Sequence, residues 1–148
     1  MLSTIKGDIF SSDADIIAHG CNCKGGYGSG VAGVMAKKYP KARHYYLDKF
    51  CTEGWRLGDV QFVKVCGKQE YIANCGTQKR YLPRGMRHVD YDAVRSCMEK
   101  VKEFAKTNKL TVAVPKIGAG LAGGDWRIIK KILEEVFTDY DCTVFYLE

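Results

Sequence analysis

The sequence predicts an α/β fold, a three-layer α/β/α sandwich built on a mixed central sheet. Three observations carry this. Strand-like and helix-like stretches alternate along the whole chain. Several strand-like runs are apolar on both faces. The glycines gather in two loops, each following an expected strand and preceding an expected helix. At 148 residues, one domain spanning residues 1–148 is expected.

Leu2 to Lys6 reads as an opening strand closed by Gly7-Asp8, and Ala14 to Ala18 as a buried strand entering a glycine-rich loop. From Ser29 onward Val31, Val34, Met35 and Lys38 share a helical face, ended by Tyr39-Pro40, and a second short helix covers Lys41 to Phe50. Val60 to Val65 and Glu70 to Cys75 read as a hairpin turning at Gly67-Lys68. Gly76 to Met86 is polar and broken by Pro83 and Gly85, hence a loop. Asp90 to Lys106 is the clearest helix, with Val94, Cys97, Met98, Val101, Phe104 and Ala105 as its apolar stripe. A strand over Leu110 to Val114, glycine-rich Pro115 to Gly124, a helix marked by Trp126, Ile129, Leu133, Val136 and Phe137, and a strand over Cys142 to Leu147 complete the chain.

Composition narrows the partners. Lys and Arg number 23 against 17 Asp and Glu, a formal charge of +6, which suits a phosphate-bearing ligand without demanding one. No apolar run is long enough to cross a membrane, and MLSTIKGDIF resembles no secretion leader. Seven cysteines, an odd number lying mostly in apolar runs, point to free thiols in a reducing compartment; a cytoplasmic monomer without cofactor is expected.

The two glycine-rich loops are His19 to Gly33 and Pro115 to Asp125. Glycines at the carboxyl ends of parallel strands let backbone N–H groups turn toward a phosphate, and the following helix adds its dipole. Two such loops imply several charged groups to hold, hence a diphosphate or a phosphorylated nucleotide sugar. Gly28-Ser-Gly30-Val-Ala-Gly33 matches GxGxxG but lies too far beyond its strand for a dinucleotide fingerprint, and the Walker A spacing is absent.

These residues carry a resemblance to the macrodomain family, the ADP-ribose-binding module. The matching pieces are Gly7-Asp8-Ile9, Ile17-Ala-His-Gly-Cys-Asn22 leading into Gly28-Ser-Gly30-Val-Ala, and Ile117-Gly-Ala-Gly-Leu-Ala-Gly-Gly-Asp-Trp126. The sequence looks closest to the branch holding the yeast-type ADP-ribose 1″-phosphate phosphatases and the hydrolases that release ADP-ribose from glutamate. The resemblance implies that Asp8 accepts from the adenine amine with Ile9 supporting the ring, and that Asn22 meets the distal ribose. Gly28, Ser29, Gly30 and Val31 would wrap ribose and diphosphate from one side, and Ile117, Gly118, Ala119, Gly120 and Leu121 from the other. Tyr146 and Leu147 would wall the adenine.

For chemistry, His19 would protonate a leaving oxygen or hold a phosphate, or else be a satisfied structural histidine. Asp125 would activate water, or simply cap the last helix. As a working pair they would hydrolyse the phosphomonoester of ADP-ribose 1″-phosphate. Removal of ADP-ribose from glutamate, aspartate or nucleic acid, and binding without catalysis, are the alternatives. Lys37 and Lys38 lie near the lysine position of the glutamate-releasing relatives. His19-x-Cys21-x-Cys23 is too tightly spaced for an ordinary zinc motif, and no metal is expected. Lys79, Arg80, Arg84, Arg87 and His88, with Tyr81 between them, form a basic loop that would suit an ADP-ribosylated nucleic acid or protein.

Overall fold

Apolar runs of strand length become a six-stranded sheet, and the amphipathic segments between them become the helices that cover it. The computed structural model describes residues 1–83, 85–120 and 122–147. The strands are β1 (Leu2–Lys6), β2 (Ile16–Asn22), β3 (Val60–Lys64), β4 (Tyr71–Gln78), β5 (Val112–Val114) and β6 (Cys142–Tyr146). The helices are α1 (Gly30–Lys38), α2 (Pro40–Thr52), α3 (Tyr91–Asn108) and α4 (Trp126–Val136). The sheet order is β1-β6-β5-β2-β4-β3, parallel throughout except for the β3–β4 hairpin. The expected three-layer mixed α/β sandwich is the observed one.

Strand alternation divides the core. Ile16 and Ala18 of β2 face α3 and α4, where Val94, Met98, Val101, Ile129 and Leu133 are buried against the sheet. Ile17 and Cys21 face α1 and α2, packing with Met35, Ala42, Tyr46 and Trp55. Burial on both faces is why β2 reads as a continuous apolar run.

The expected boundaries shift where it matters for the site. β2 begins at Ile16 and continues through His19, Gly20 and Cys21 to Asn22, while β4 runs on through Gly76 to Gln78, residues expected to be loop. The parallel ladder continues from Ile16↔Tyr71 to Cys21↔Gly76, with a bulge between Cys21 and Asn22. Polar residues are tolerated in this buried strand because their side chains find hydrogen-bond partners on β4 and in the first glycine loop. Tyr39 ends α1, its N–H donating to Met35 O at 2.7 Å, and Pro40 opens α2 in the first turn, where an N–H has no intrahelical acceptor. The basic loop leaves the sheet at Gln78 and returns at Val89, the two residues forming an isolated antiparallel bridge.

Candidate functional site

The carboxyl ends of β2 and β5 open into a cleft of about 860 Å³, between the loop preceding α1 and the loop preceding α4. An open parallel sheet places its ligand site there because strand ends and helix N-termini converge. His19, Asn22, Gly28, Ser29, Gly30, Val31, Ile117, Gly118 and Gly120 line it. Ser29 is the N-cap of α1 but makes no side-chain cap bond, so no side chain among the described residues occupies the N–H groups of the first turn, which Gly30, Val31 and Ala32 bring to the cleft wall. On the facing loop Gly118 takes φ +77°, and a Cβ there would lie 2.7 Å from Val89 Cγ2. At Gly28 and Gly120 a Cβ would meet no atom within 4 Å; the bare backbone leaves that space to a ligand.

Asn22 lines the cleft, but its side chain mainly builds the loop. Its Oδ1 accepts from Lys24 N (2.9 Å) and Gly26 N (3.1 Å), and its Nδ2 donates to Gly26 O (2.6 Å). Tyr46 of α2 clamps the same turn, donating to Asn22 O at 2.7 Å and accepting from Gly25 N at 3.1 Å. The ring of Tyr81, from the basic loop, lies over Gly26, where a Cβ would come within 2.8 Å of it.

His19 is fully buried at the cleft floor. Asn74 of β4 organises its surroundings. Asn74 Nδ2 donates to Ala42 O and Gln61 Oε1, each at 3.0 Å, and Oδ1 accepts from Tyr27 Oη at 2.8 Å. His19 Nε2 lies 2.8 Å from that same Oδ1. An amide oxygen can only accept, so the Nε2 nitrogen carries the proton and Nδ1 presents a lone pair, which has no partner among the described residues. Burial pulls the His19 pKa down to about 4, only partly opposed by the bond to Asn74. The imidazole is therefore neutral near pH 7, a fixed dipole rather than a ready proton donor. Burial likewise raises the Cys21 thiol and the Tyr27 hydroxyl far above their ordinary ranges. No group of three His, Cys, Asp or Glu among the described residues is placed to hold a metal.

Several expected site residues lie elsewhere. Asp125 does not meet His19: it is the N-cap of α4, accepting from Arg127 N at 2.9 Å and pairing with Arg127 Nη2 at 3.0 Å, and it lines a separate groove with Tyr91 and Arg95. The Arg127 guanidinium holds its carboxyl below the usual carboxylate range. Free N–H groups at a helix start outcompete the cleft for this side chain, since cap and ion pair lie two residues away. Asp8 caps the short 3-10 turn Ile9–Ser11, accepting from Phe10 N at 3.0 Å, and Ile9 is buried in the core beneath α1 and α2. Neither borders the cleft. Tyr146 points to the α4 side with Val144, because alternation along β6 sends Phe145 the other way, and it lines a small groove of about 210 Å³ with Trp126. Leu147 is 68% exposed. Ala119 is not a lining residue, and Leu121, like Arg84 of the basic loop, lies outside the described residues.

The cleft also holds residues that sequence reasoning did not single out: Tyr27, Arg43, Gln78, Leu82 and Lys116. Tyr27 was legible as the one aromatic inside the first glycine loop, and Asn74 as the one amide in the otherwise apolar run Tyr71 to Cys75. Lys116 lines both the cleft and the small groove, and its Nζ lies on the groove side, 5.7 Å from the ring centres of both Trp126 and Tyr146. No carboxylate is among the described lining residues.

Comparison with known proteins agrees with this architecture. An Enterobacteria phage T4 protein of 17.5 kDa is 38% identical over 140 residues, covering 88% of this chain and 86% of its own length. A Candida albicans ADP-ribose 1″-phosphate phosphatase is 27% identical, covering 91% of this chain and 93% of its own. A Mycobacterium tuberculosis DNA ADP-ribosyl glycohydrolase is 26% identical across 98% of this chain, which spans only 42% of that protein. A solved structure from Bacteroides thetaiotaomicron superposes with a TM-score of 0.89 at 34% identity, over 99% of this chain and 98% of that one. Residues 18–133, well over half the chain, match the Macro domain family model, and the chain belongs to that family.

Proposed function

We propose that the cleft binds ADP-ribose and that the protein releases it from a modified macromolecule, with nucleic acid as the acceptor that the surroundings suit best. The diphosphate would lie across the open N-terminus of α1 and the glycines of the facing loop, held by backbone N–H groups. The terminal ribose would sit at the end formed by Asn22, Gly26, Tyr27 and Tyr81. The observation carrying the macromolecular reading is that Tyr81 and Leu82 line the cleft while remaining 45% and 56% exposed. They come directly after Lys79 and Arg80, so the ribose end of the cleft would open onto basic and aromatic surface rather than onto a closed wall. The names of the mycobacterial and yeast relatives support ADP-ribose as the ligand.

A second reading is binding without turnover, favoured by the lack of any carboxylate among the described lining residues and by the cap role of Asp125. The test is titration calorimetry with ADP-ribose, followed by time courses with an ADP-ribosylated oligonucleotide, a glutamate-modified protein and ADP-ribose 1″-phosphate. Release from the oligonucleotide is expected. Phosphate release alone would replace this reading with the phosphatase; binding without release from any of the three would leave the reader.

A further inference from the structure

Only two charged side chains are among the described residues lining the cleft, and both are cations, Lys116 and Arg43. Lys116 borders the cleft at its backbone turn and carries its ammonium over to the small groove of Trp126 and Tyr146. Arg43 lines the cleft from α2. Its neighbours fix that placement: the carbonyl of Ala42 accepts from Asn74, and Tyr46, one turn further on, clamps the turn from Asn22 to Gly26. Tyr46 also packs on Tyr27, ring centres 4.9 Å apart, so Arg43 rises from the part of α2 that borders Tyr27 and the Asn22–Gly26 turn.

Nothing draws its guanidinium away. One helical turn to either side are Tyr39, Pro40, Tyr46 and Leu47, none of them acidic, and the first turn of α2 carries no acid. Among the described residues it has neither an ion pair nor a hydrogen bond. By contrast Arg95, Arg127, Lys49, Lys64, Lys102 and Lys106 all hold carboxylates. A planar fork of donors left unspent on a cleft wall matches a phosphate, which it can grip with two parallel bonds.

We propose that Arg43 is a specificity-determining residue that reads a phosphate carried at, or immediately beyond, the anomeric carbon of the terminal ribose. This rests on the proposed binding of ADP-ribose with its terminal ribose at the Tyr27–Tyr81 end. The diphosphate is served by backbone donors, so Arg43 discriminates ligands by the group attached beyond the ribose. Two sources share that chemistry: a 1″-phosphate monoester, and a backbone phosphate beside an ADP-ribosylated base.

The test is displacement of a fluorescent ADP-ribose analogue, read in the first seconds after mixing so that turnover does not intervene. The competitors are ADP-ribose, ADP-ribose 1″-phosphate and a single-stranded oligonucleotide ADP-ribosylated on one base. Wild type should bind at least one phosphate-bearing competitor about tenfold or more tightly than ADP-ribose. In R43Q that ratio should fall to near one for the monoester and several-fold for the oligonucleotide, which keeps its contacts to the Lys79–Leu82 surface, and R43K should keep only part of it. In K116Q both affinities should weaken together, leaving the ratio in place. Arg43-dependent preference for the monoester assigns the phosphate to a 1″-ester; preference for the oligonucleotide alone assigns it to the backbone.

If ADP-ribose fails to displace the analogue from wild type, the binding reading fails and this inference with it. With ADP-ribose bound, equal affinity for all three competitors overturns the inference alone. So does a preference undiminished in R43Q or lost in K116Q.

Discussion

The buried imidazole of His19 makes stability depend on pH in a window where few other groups act. Its folded pKa is about 4 against 6.5 for the free side chain. Between those values the unfolded chain binds a proton that the native protein does not, so stability rises with pH through the window and is lost as pH falls from 6.5 toward 4. Each unit is worth about 1.4 kcal/mol, so the full loss is ~3.4 kcal/mol, of which ~2 kcal/mol is already gone at pH 5. The carboxylates held low by ion pairs act below this range: Asp139, kept near 2 by Lys106 and Lys102, contributes stability that is lost only as pH falls from its unfolded value of 3.8 toward 2. The assay is urea denaturation at pH 7 and pH 5 on wild type and H19Q. Wild type should lose about 2 kcal/mol, and the variant little of that difference, whatever its absolute stability. Should H19Q not fold, the His19 imidazole of the wild type must stay neutral down to pH 5 by its own resonances. A wild-type stability that is flat over this interval, or a His19 resonance titrating near 6.5, would refute the burial argument.

Asn74→Ala removes the amide that ties β4 to β2, α2 and β3 and strands the His19 and Tyr27 donors in the core; a loss of about 3 kcal/mol or more is expected by denaturant titration. Gly118→Ala forces an L side chain into φ +77° against Val89, so about 2 kcal/mol of stability and much of the ADP-ribose affinity should be lost together, by melting and calorimetry. Asp125→Ala deletes a helix cap outside the cleft. Its melting temperature should fall by a few degrees, with ADP-ribose affinity staying within about twofold of wild type. A large loss of affinity would return Asp125 to the site.

The order of elements, the two glycine loops and their position at strand ends were legible in the sequence, because periodicity and glycine clustering are local properties. Gly28 to Val31 and Ile117 to Gly120 are backbone features; once a strand and a helix flank them, little freedom remains in where they point. Side-chain partnerships are not local in this way. Asp125 could face a ligand or its own helix, and the cap two residues away won. Tyr146 and Phe145 are adjacent, and only the register of β6 decides which face each takes. His19 reads equally well as a proton shuttle or a buried dipole. Residue 74, 55 positions away and brought opposite by the β2–β4 ladder, made it the dipole. Arg43 looks like one more exposed helix cation until the packing of α2 on the first glycine loop sets it on the cleft wall. The sequence by itself determined the scaffold and the phosphate-cradling loops through short-range pattern; tertiary packing alone decided which charges reach the cleft, because those contacts join residues distant along the chain.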